Sequence, residues 1–430
     1  MLIRYKKGAD GLDAVAQVYS KDENKIDPLL VDKNAVSVVK RLNDAGFESY
    51  IVGGAVRDLL LGRIPKDFDI ATSASPRQVR RLFYNSRIIG RRFRIVHITF
   101  GSQIIEVSTF RSTKEHEATS DNEFGTIEED SARRDFSINS LYYDPIKCTL
   151  IDFNHALDDF KNKRIVSLIP LNKTFNEDPV RMIRAVKYSV TTGFKIPLAL
   201  SLAIKHYAPN IGTVSRSRMT EEVNKILSSG ESSTIFQRLN SYKLLAHILP
   251  AISVYADFPQ LFQSLQLLDD KVKLAKSNQA PQVSKEEMYL ALVQPFISRN
   301  DDWTGPEETF SDILRQIKIL INPITPANYE LEMATFMYMQ SIDLEVPAKC
   351  IKHKKPQISS RQYPRRSSIS RRFSKPSPKS SYRPSSKSLS KSAVRVSKKN
   401  STESAAKSSA QTSSMPAVNV NEDIATVGAN

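Results

Sequence analysis

Across residues 31–160 the apolar residues change period repeatedly, from helical spacing to short β-rich runs and back, and that alternation restricts the stretch to a mixed α/β layer. Val36, Val39 and Leu42 recur at helical spacing, Gly46 stops them, and Tyr50-Ile51-Val52 then reads as a buried strand. Gly53-Gly54 ends that strand, residues 55–61 read as a short helix closed by Gly62, and Phe68-Asp69-Ile70 starts the next strand. A second helix opens at Ser75-Pro76, with Ser75 as cap, Pro76 in the first turn and Gln78 completing a capping box. Residues 94–100 and 103–109 read as strands joined in a hairpin at Gly101-Ser102, so the predicted sheet is small and mixed, not doubly wound. Residues 112–126 are polar and aperiodic, residues 128–142 read as a helix, residues 150–153 as a strand, and a mainly helical part runs from Asn176 to about Ala348.

Charge divides the chain sharply. The whole sequence holds 62 Lys and Arg against 46 Asp and Glu, yet residues 351–410 hold 17 of the basic residues against a single acidic one. The stretch 349–430 is rich in Ser, Lys, Arg and Pro with few large apolar groups, which predicts disorder, and its charge suits either sequence-independent binding to nucleic-acid phosphates or a merely solubilising extension. The two cysteines, Cys148 and Cys350, suggest neither a disulfide framework nor a zinc cluster. No run approaches the ~18 apolar residues of a membrane span, so a cytoplasmic protein without a membrane partner is expected.

Four constellations carry chemistry. Asp67-Phe68-Asp69 puts two carboxylates at i and i+2, hence on one face if the segment is extended, where a divalent cation, most plausibly Mg²⁺, relieves their repulsion. The same pattern also suits a turn or a solvent-facing pair. Gly53-Gly54, at a strand end before a helix, allows close backbone approach to a phosphate. Arg57, one turn further, suits a triphosphate contact or a pair with Asp58 or Asp67. Arg133-Arg134-Asp135-Phe136 supplies a third carboxylate and two guanidiniums, and Glu106, among apolar neighbours, competes with Asp135 for the third-carboxylate role or serves as a buried partner for an arginine. Asp178 and Arg181, three apart, form an acceptor and donor pair that complements the amino group and ring nitrogen of adenine or cytosine and rejects the inverted pattern of guanine and uracil.

Taken in order, Val52-Gly53-Gly54-Ala55-Val56-Arg57-Asp58, Asp67-Phe68-Asp69, Arg133-Arg134-Asp135-Phe136-Ser137-Ile138-Asn139 and Glu177-Asp178-Pro179-Val180-Arg181-Met182-Ile183-Arg184-Ala185 resemble the motifs of the class II CCA-adding enzyme and bacterial poly(A) polymerase family. The resemblance implies an α/β nucleotidyltransferase head with a small mixed sheet, then all-α neck and body domains, then the basic tail. On that plan residues 1–30 are an N-terminal extension, 31–170 the head, 171–235 the neck, 236–348 the body and 349–430 the tail. It implies Asp67, Asp69 and Asp135 as catalytic residues, with Asp67 and Asp69 binding Mg²⁺ and Glu106 as the other candidate third carboxylate. It further implies Asp178 and Arg181 as reading the base and Arg134 and Arg184 as supporting the nucleotide, which with the Gly53, Gly54 and Arg57 turn read above completes a candidate nucleotide site. The implied activity is template-independent addition of AMP from ATP to RNA 3′ ends, marking RNA for decay, with tRNA CCA addition and a catalytically silent RNA-binding protein as alternatives. The segment Ile89-Gly90-Arg91-Arg92-Phe93-Arg94-Ile95-Val96-His97 resembles the poly(A) polymerase branch, and Arg218 in Ser217-Arg218-Met219-Thr220-Glu221-Glu222 resembles a later family arginine, although an Arg218 to Glu222 helix pair accounts for it equally well. Where the family has small glycines, this chain has Asn154-His155-Ala156, with His155 a surface turn residue rather than a ligand. Protein partners are not legible.

Overall fold

The computed structural model describes residues 2–7, 12–90, 94–112, 124–300, 303 and 305–354. The Arg91-Arg92-Phe93 segment, most of the polar stretch 112–126 and the basic stretch beyond Lys354 lie outside the described residues. Within them, nine strands make one sheet: β1 (Leu2–Lys7), β2 (Leu12–Tyr19), β3 (Ser49–Val52), β4 (Asp69–Thr72), β5 (Ser86–Ile89), β6 (Ile95–Phe100), β7 (Gln103–Thr109), β8 (Tyr142–Asp144) and β9 (Thr149–Asp152). Their order is β1-β2-β9-β8-β3-β4-β7-β6-β5. Only β4 and β7 pair in parallel, so the sheet is mixed, as the sequence predicts. It is wider than the sequence suggested, because β1 and β2, from the stretch read as an extension, pair onto β9. The small side chains Ala14 and Ala16 gave little periodic signal for that addition.

Strand β3 is buried at all four positions, consistent with a place inside the sheet. Its residues alternate between two packed layers. On one face Ile51, Ile70, Ile98 and Ile105 meet Ala35, Val38, Val39 and Leu42 of α1 (Lys33–Asp44), Val56 and Leu59 of α2 (Gly54–Leu60), and Val79 of α3 (Pro76–Leu82). On the other face Tyr50, Val52, Ala71, Phe110 and Tyr142 pack with Ile127. The hairpin turn at Gly101 and the Ser75 to Gln78 capping box form where the sequence places them.

Two expectations change. The segment 128–142 is not one helix: α4 (Ile127–Ala132) stops, Phe136 bridges to Ser167, a 3₁₀ turn covers Ser137–Asn139, and Tyr142 enters β8. Phe136 is buried in the core of the helical part, so this segment ties the sheet to the helices, which a continuous helix would not do. Helices also begin before Asn176, with α5 (Ala156–Lys161) and α6 (Leu171–Glu177). Then follow α7 (Val180–Thr192), α8 (Leu198–Tyr207), α9 (Arg216–Leu227), α10 (Ser232–Ser241), α11 (Pro259–Lys276), α12 (Lys285–Val293), α13 (Pro306–Ile321) and α14 (Asn328–Ser341), with shorter turns between them. One continuous apolar core joins α7 to α14. No described helix is long and apolar enough to cross a membrane, and both cysteines are free.

Candidate active site

Buried Phe68 and Ile70 alternate with exposed Asp67 and Asp69, so the apolar residues enter the core and leave both carboxylates on the open face. Asp69 is the first residue of β4, and Asp67 lies just ahead of the strand. In the parallel pairing Asp69 stands opposite Glu106 of β7. Glu106 is exposed rather than buried, and its neighbour is not an arginine but His97 of β6, whose Nε2 lies 3.2 Å from Glu106 Oε1. Desolvation by the surrounding walls, then the Glu106 and Asp67 charges, outweigh Arg134 and push the Asp69 carboxyl up to about 6. Among the described residues no three His, Cys, Asp or Glu side chains converge into a metal cluster. Paired hard oxygens whose mutual charge is unfavourable still fit Mg²⁺, which binds through one or two carboxylates and takes further oxygens from substrate phosphates.

Gly53, between β3 and α2, has φ of +71°, a conformation that favours glycine. A Cβ there would lie 3.6 Å from Arg134 Nη1 and 3.9 Å from Asp69 Oδ2, so the bare backbone, the guanidinium and the carboxylate share one pocket. The helix that follows has only seven residues, so the close approach of the turn, rather than a helix dipole, is what this motif offers. Arg134 is fixed by Asp130 Oδ2 at 3.0 Å, Tyr142 Oη at 3.2 Å and the Asn139 carbonyl at 3.3 Å. Burial opposes its charge, but Tyr142 and Asp130 hold it above the usual arginine range.

Arg57 does pair with Asp58, its Nε donating at 2.9 Å, while its Nη1 donates to Asn139 Oδ1 at 3.0 Å. Asp135 faces the helical part instead of Asp69. Its Oδ1 accepts from the Phe136 amide at 2.9 Å and from Asn139 at 3.2 Å, and its Oδ2 lies 2.9 Å from Arg184 Nη2. Arg184 also donates to Tyr188 Oη, and although burial disfavours its charge, Tyr188 and Asp135 raise its pKa.

Asp178 occupies the break between α6 and α7, with Pro179 leading into α7. Arg181 Nε lies 3.7 Å from Asp178 Oδ2, and Arg181 Nη1 donates to Thr174 at 2.7 Å. Arg218, on α9, does not pair with Glu222; it donates to Asp178 Oδ2 at 2.6 Å. Glu222 is taken by Lys187 and Lys225, each at 3.1 Å. Burial would raise the Glu222 carboxyl, but the two ammonium groups outweigh it and hold it below the ordinary range. Asp178 Oδ1 is buried and has no hydrogen-bond partner among the described residues. A buried acceptor left open beside a guanidinium costs free energy unless a donor reaches it. His155 is exposed at positive φ, and Asp152 closes its turn by accepting from the Asn154, Ala156 and Leu157 amides.

Sequence reasoning missed Asp130, Asn139, Tyr142 and Tyr188. Local signals existed for two of them, since Tyr188 lies four residues beyond Arg184 on one helix and Asp130 four residues before Arg134.

Comparison with known proteins adds an independent line. A family model for the poly A polymerase head domain matches residues 49–166, and one for the probable RNA and SrmB-binding site of polymerase A matches residues 193–255. Poly(A) polymerase I of Salmonella typhi is 40% identical over 253 residues, covering 55% of this chain and 54% of that protein. The chain thus matches about half the length of that relative. The CCA-adding enzyme of Lactobacillus helveticus is 32% identical over 312 residues, 70% of this chain and 75% of that protein. A crystal structure of a tRNA nucleotidyltransferase, complexed with a primer tRNA and an incoming ATP analog, has the same fold, with a TM-score of 0.51 at 23% identity over 74% of this chain and 87% of that one.

Proposed function

Because the chain belongs to the nucleotidyltransferase family of poly(A) polymerases and CCA-adding enzymes, we propose that it extends RNA 3′ ends without a template by adding AMP from ATP. The observation that carries the chemistry is the Asp67 and Asp69 face beside the Gly53 turn and Arg134. In this reading Asp67 and Asp69 would hold Mg²⁺, Glu106 stands opposite Asp69 as the further acidic group, and Asp135 acts at one remove by holding Arg184. When bound, Mg²⁺ supplies Lewis-acid stabilisation of the phosphate charge and of the attacking 3′-oxygen.

The chain's own groups do the rest. The Gly53-Gly54 turn lets the triphosphate approach the backbone, and Arg134, fixed by Asp130 and Tyr142, meets its charge. Asp178 Oδ1 accepts from the amino group of the base, while Arg181 donates to the ring nitrogen. Guanine and uracil would leave that buried carboxylate facing an acceptor. With the nucleotide so held, the RNA 3′-hydroxyl attacks the α-phosphate in line, forming the new phosphodiester and releasing pyrophosphate.

The poly(A) reading is favoured by the higher identity to the poly(A) polymerase, by the Ile89 to His97 segment and by the basic stretch suited to many RNAs. CCA addition is the second reading, favoured by the longer match to the CCA-adding enzyme. Labelled RNA incubated with ATP and Mg²⁺ tests the chemistry: the parent should extend it and Asp69→Ala should not, whereas extension by that variant would remove Asp69 from the reaction.

A further inference from the structure

Tyr188, only 8% exposed, lies on α7 ten residues beyond Asp178, and no role in nucleotide handling has yet been given to it. It closes a ring of contacts. Arg57 Nη1 donates to Asn139 Oδ1 at 3.0 Å, and Asn139 Nδ2 donates to Asp135 Oδ1 at 3.2 Å. Asp135 Oδ2 pairs with Arg184 Nη2 at 2.9 Å, and Arg184 donates to Tyr188 Oη from Nε at 3.2 Å and Nη2 at 2.9 Å. The ring returns to its start where the Arg57 guanidinium carbon lies 4.9 Å from the Tyr188 ring centroid. Lys187 Nζ at 5.3 Å from the same centroid and Phe136 edge-on at 6.0 Å pack around it.

The circuit joins two parts of the site that are far apart in sequence. Arg57 belongs to α2, directly after the Gly53-Gly54 turn, and a Cβ on Gly54 would lie 3.5 Å from its Nη2. Arg184 and Tyr188 belong to α7, the helix that starts beside Asp178 and carries Arg181. Tyr188 thus touches the residue that follows the phosphate turn, through Arg57, and the helix that carries Arg181, through Arg184.

We propose that Tyr188 is a positioning residue for nucleotide selection: it locks the base-reading helix to the phosphate turn, so that only a base matching Asp178 and Arg181 seats its triphosphate correctly at Gly53-Gly54. The inference rests on the nucleotidyl-transfer reading above. A purely structural tyrosine would affect all four nucleoside triphosphates alike, whereas a coupling residue affects the matched ones, ATP and CTP, more than GTP and UTP.

The test compares Tyr188→Phe, which keeps the face toward Arg57 and removes the acceptor for Arg184, with Tyr188→Leu, which removes both. Single-nucleotide incorporation is measured with ATP, CTP, GTP and UTP, with melting temperature followed in parallel. Tyr188→Leu is expected to lower the ATP-to-GTP ratio of kcat/KM by about tenfold, mainly through kcat for ATP; this is below the ~10²-fold that a 1 Å misplacement costs. Tyr188→Phe should fall between parent and Tyr188→Leu. An equal fall with all four nucleotides, or a lowered melting temperature with unchanged selectivity, overturns the proposal. If Tyr188→Leu does not fold, Tyr188→Phe alone decides by the same ratio. If the parent incorporates nothing, the nucleotidyl-transfer reading fails by itself, and calorimetric binding of ATP and GTP to parent and Tyr188→Phe decides: a lowered ATP preference supports the coupling and an unchanged one overturns it.

Discussion

Asp69 of β4 and Glu106 of β7 stand opposite each other across the only parallel strand pairing among the described strands. That register, and not proximity in sequence, makes Glu106 the acidic neighbour of the Asp67 and Asp69 face, while Asp135 is bound to Arg184. Four consequences are open to measurement.

The first concerns pH. The Asp69 carboxyl is pushed up to about 6 in the folded protein, above its unfolded value, so its contribution to stability is fully present below about pH 4 and is lost as pH rises through about 6. Asp69→Asn should therefore stabilise the metal-free protein at pH 8 by on the order of 1 kcal/mol once solvent screening is allowed for, and so raise its melting temperature. The gain should vanish near pH 4. Thermal melts across that range, with and without Mg²⁺ and ATP, check the sign, and the ligands should stabilise the parent but not the variant.

Arg218 is the second. Its contact with Asp178 Oδ2 leaves Oδ1 free to face a base, so Arg218→Ala should let the carboxylate turn and blur selection. A lost charged hydrogen bond of about 1.5–3 kcal/mol corresponds to a roughly 10- to 100-fold fall in kcat/KM for ATP. Steady-state kinetics with ATP and GTP should show the ratio narrowing as well.

The third is a stability test on a buried ion pair. Glu222 is 5% exposed and balances Lys187, which is 9% exposed. Glu222→Ala strands a buried ammonium and should cost about 3 kcal/mol, whereas the double change Lys187→Met with Glu222→Leu should be nearly neutral. Urea denaturation of the three proteins distinguishes these outcomes.

The basic stretch supplies the fourth. Glu332 of α14 accepts from the Lys352 and His353 amides at 3.0 and 2.9 Å, and its Oε1 lies 2.7 Å from His353 Nδ1, so a cut that leaves the body intact belongs after Lys354. Removing residues 355–430 should flatten the dependence of RNA affinity on salt while leaving the KM for ATP within about twofold, because counterion release scales with phosphate contacts. Filter binding across a salt series reads that slope.

What the sequence made legible was local. Asp67 and Asp69 declare a common face by spacing alone, Gly53 marks a backbone position, and the motif order is enough to suggest the fold. Contacts across long separations were hidden: Arg218 meets Asp178 forty residues away, and Arg57 meets Asn139 across eighty-two. The helical rule offered Arg218 a partner at Glu222, but Glu222 turns inward to Lys187, and only packing decides that. Residues 128–142 misled for a similar reason, since helical propensity there yields to the burial of Phe136 and the entry of Tyr142 into the sheet.

The most direct measurement is the product pattern on two labelled RNAs, a generic 3′ end and a tRNA lacking its CCA end, each incubated with Mg²⁺ and the nucleoside triphosphates singly and together. A long ladder on the generic RNA with ATP alone is the predicted result. Addition confined to the tRNA, stopping after three residues and requiring CTP as well as ATP, would contradict it.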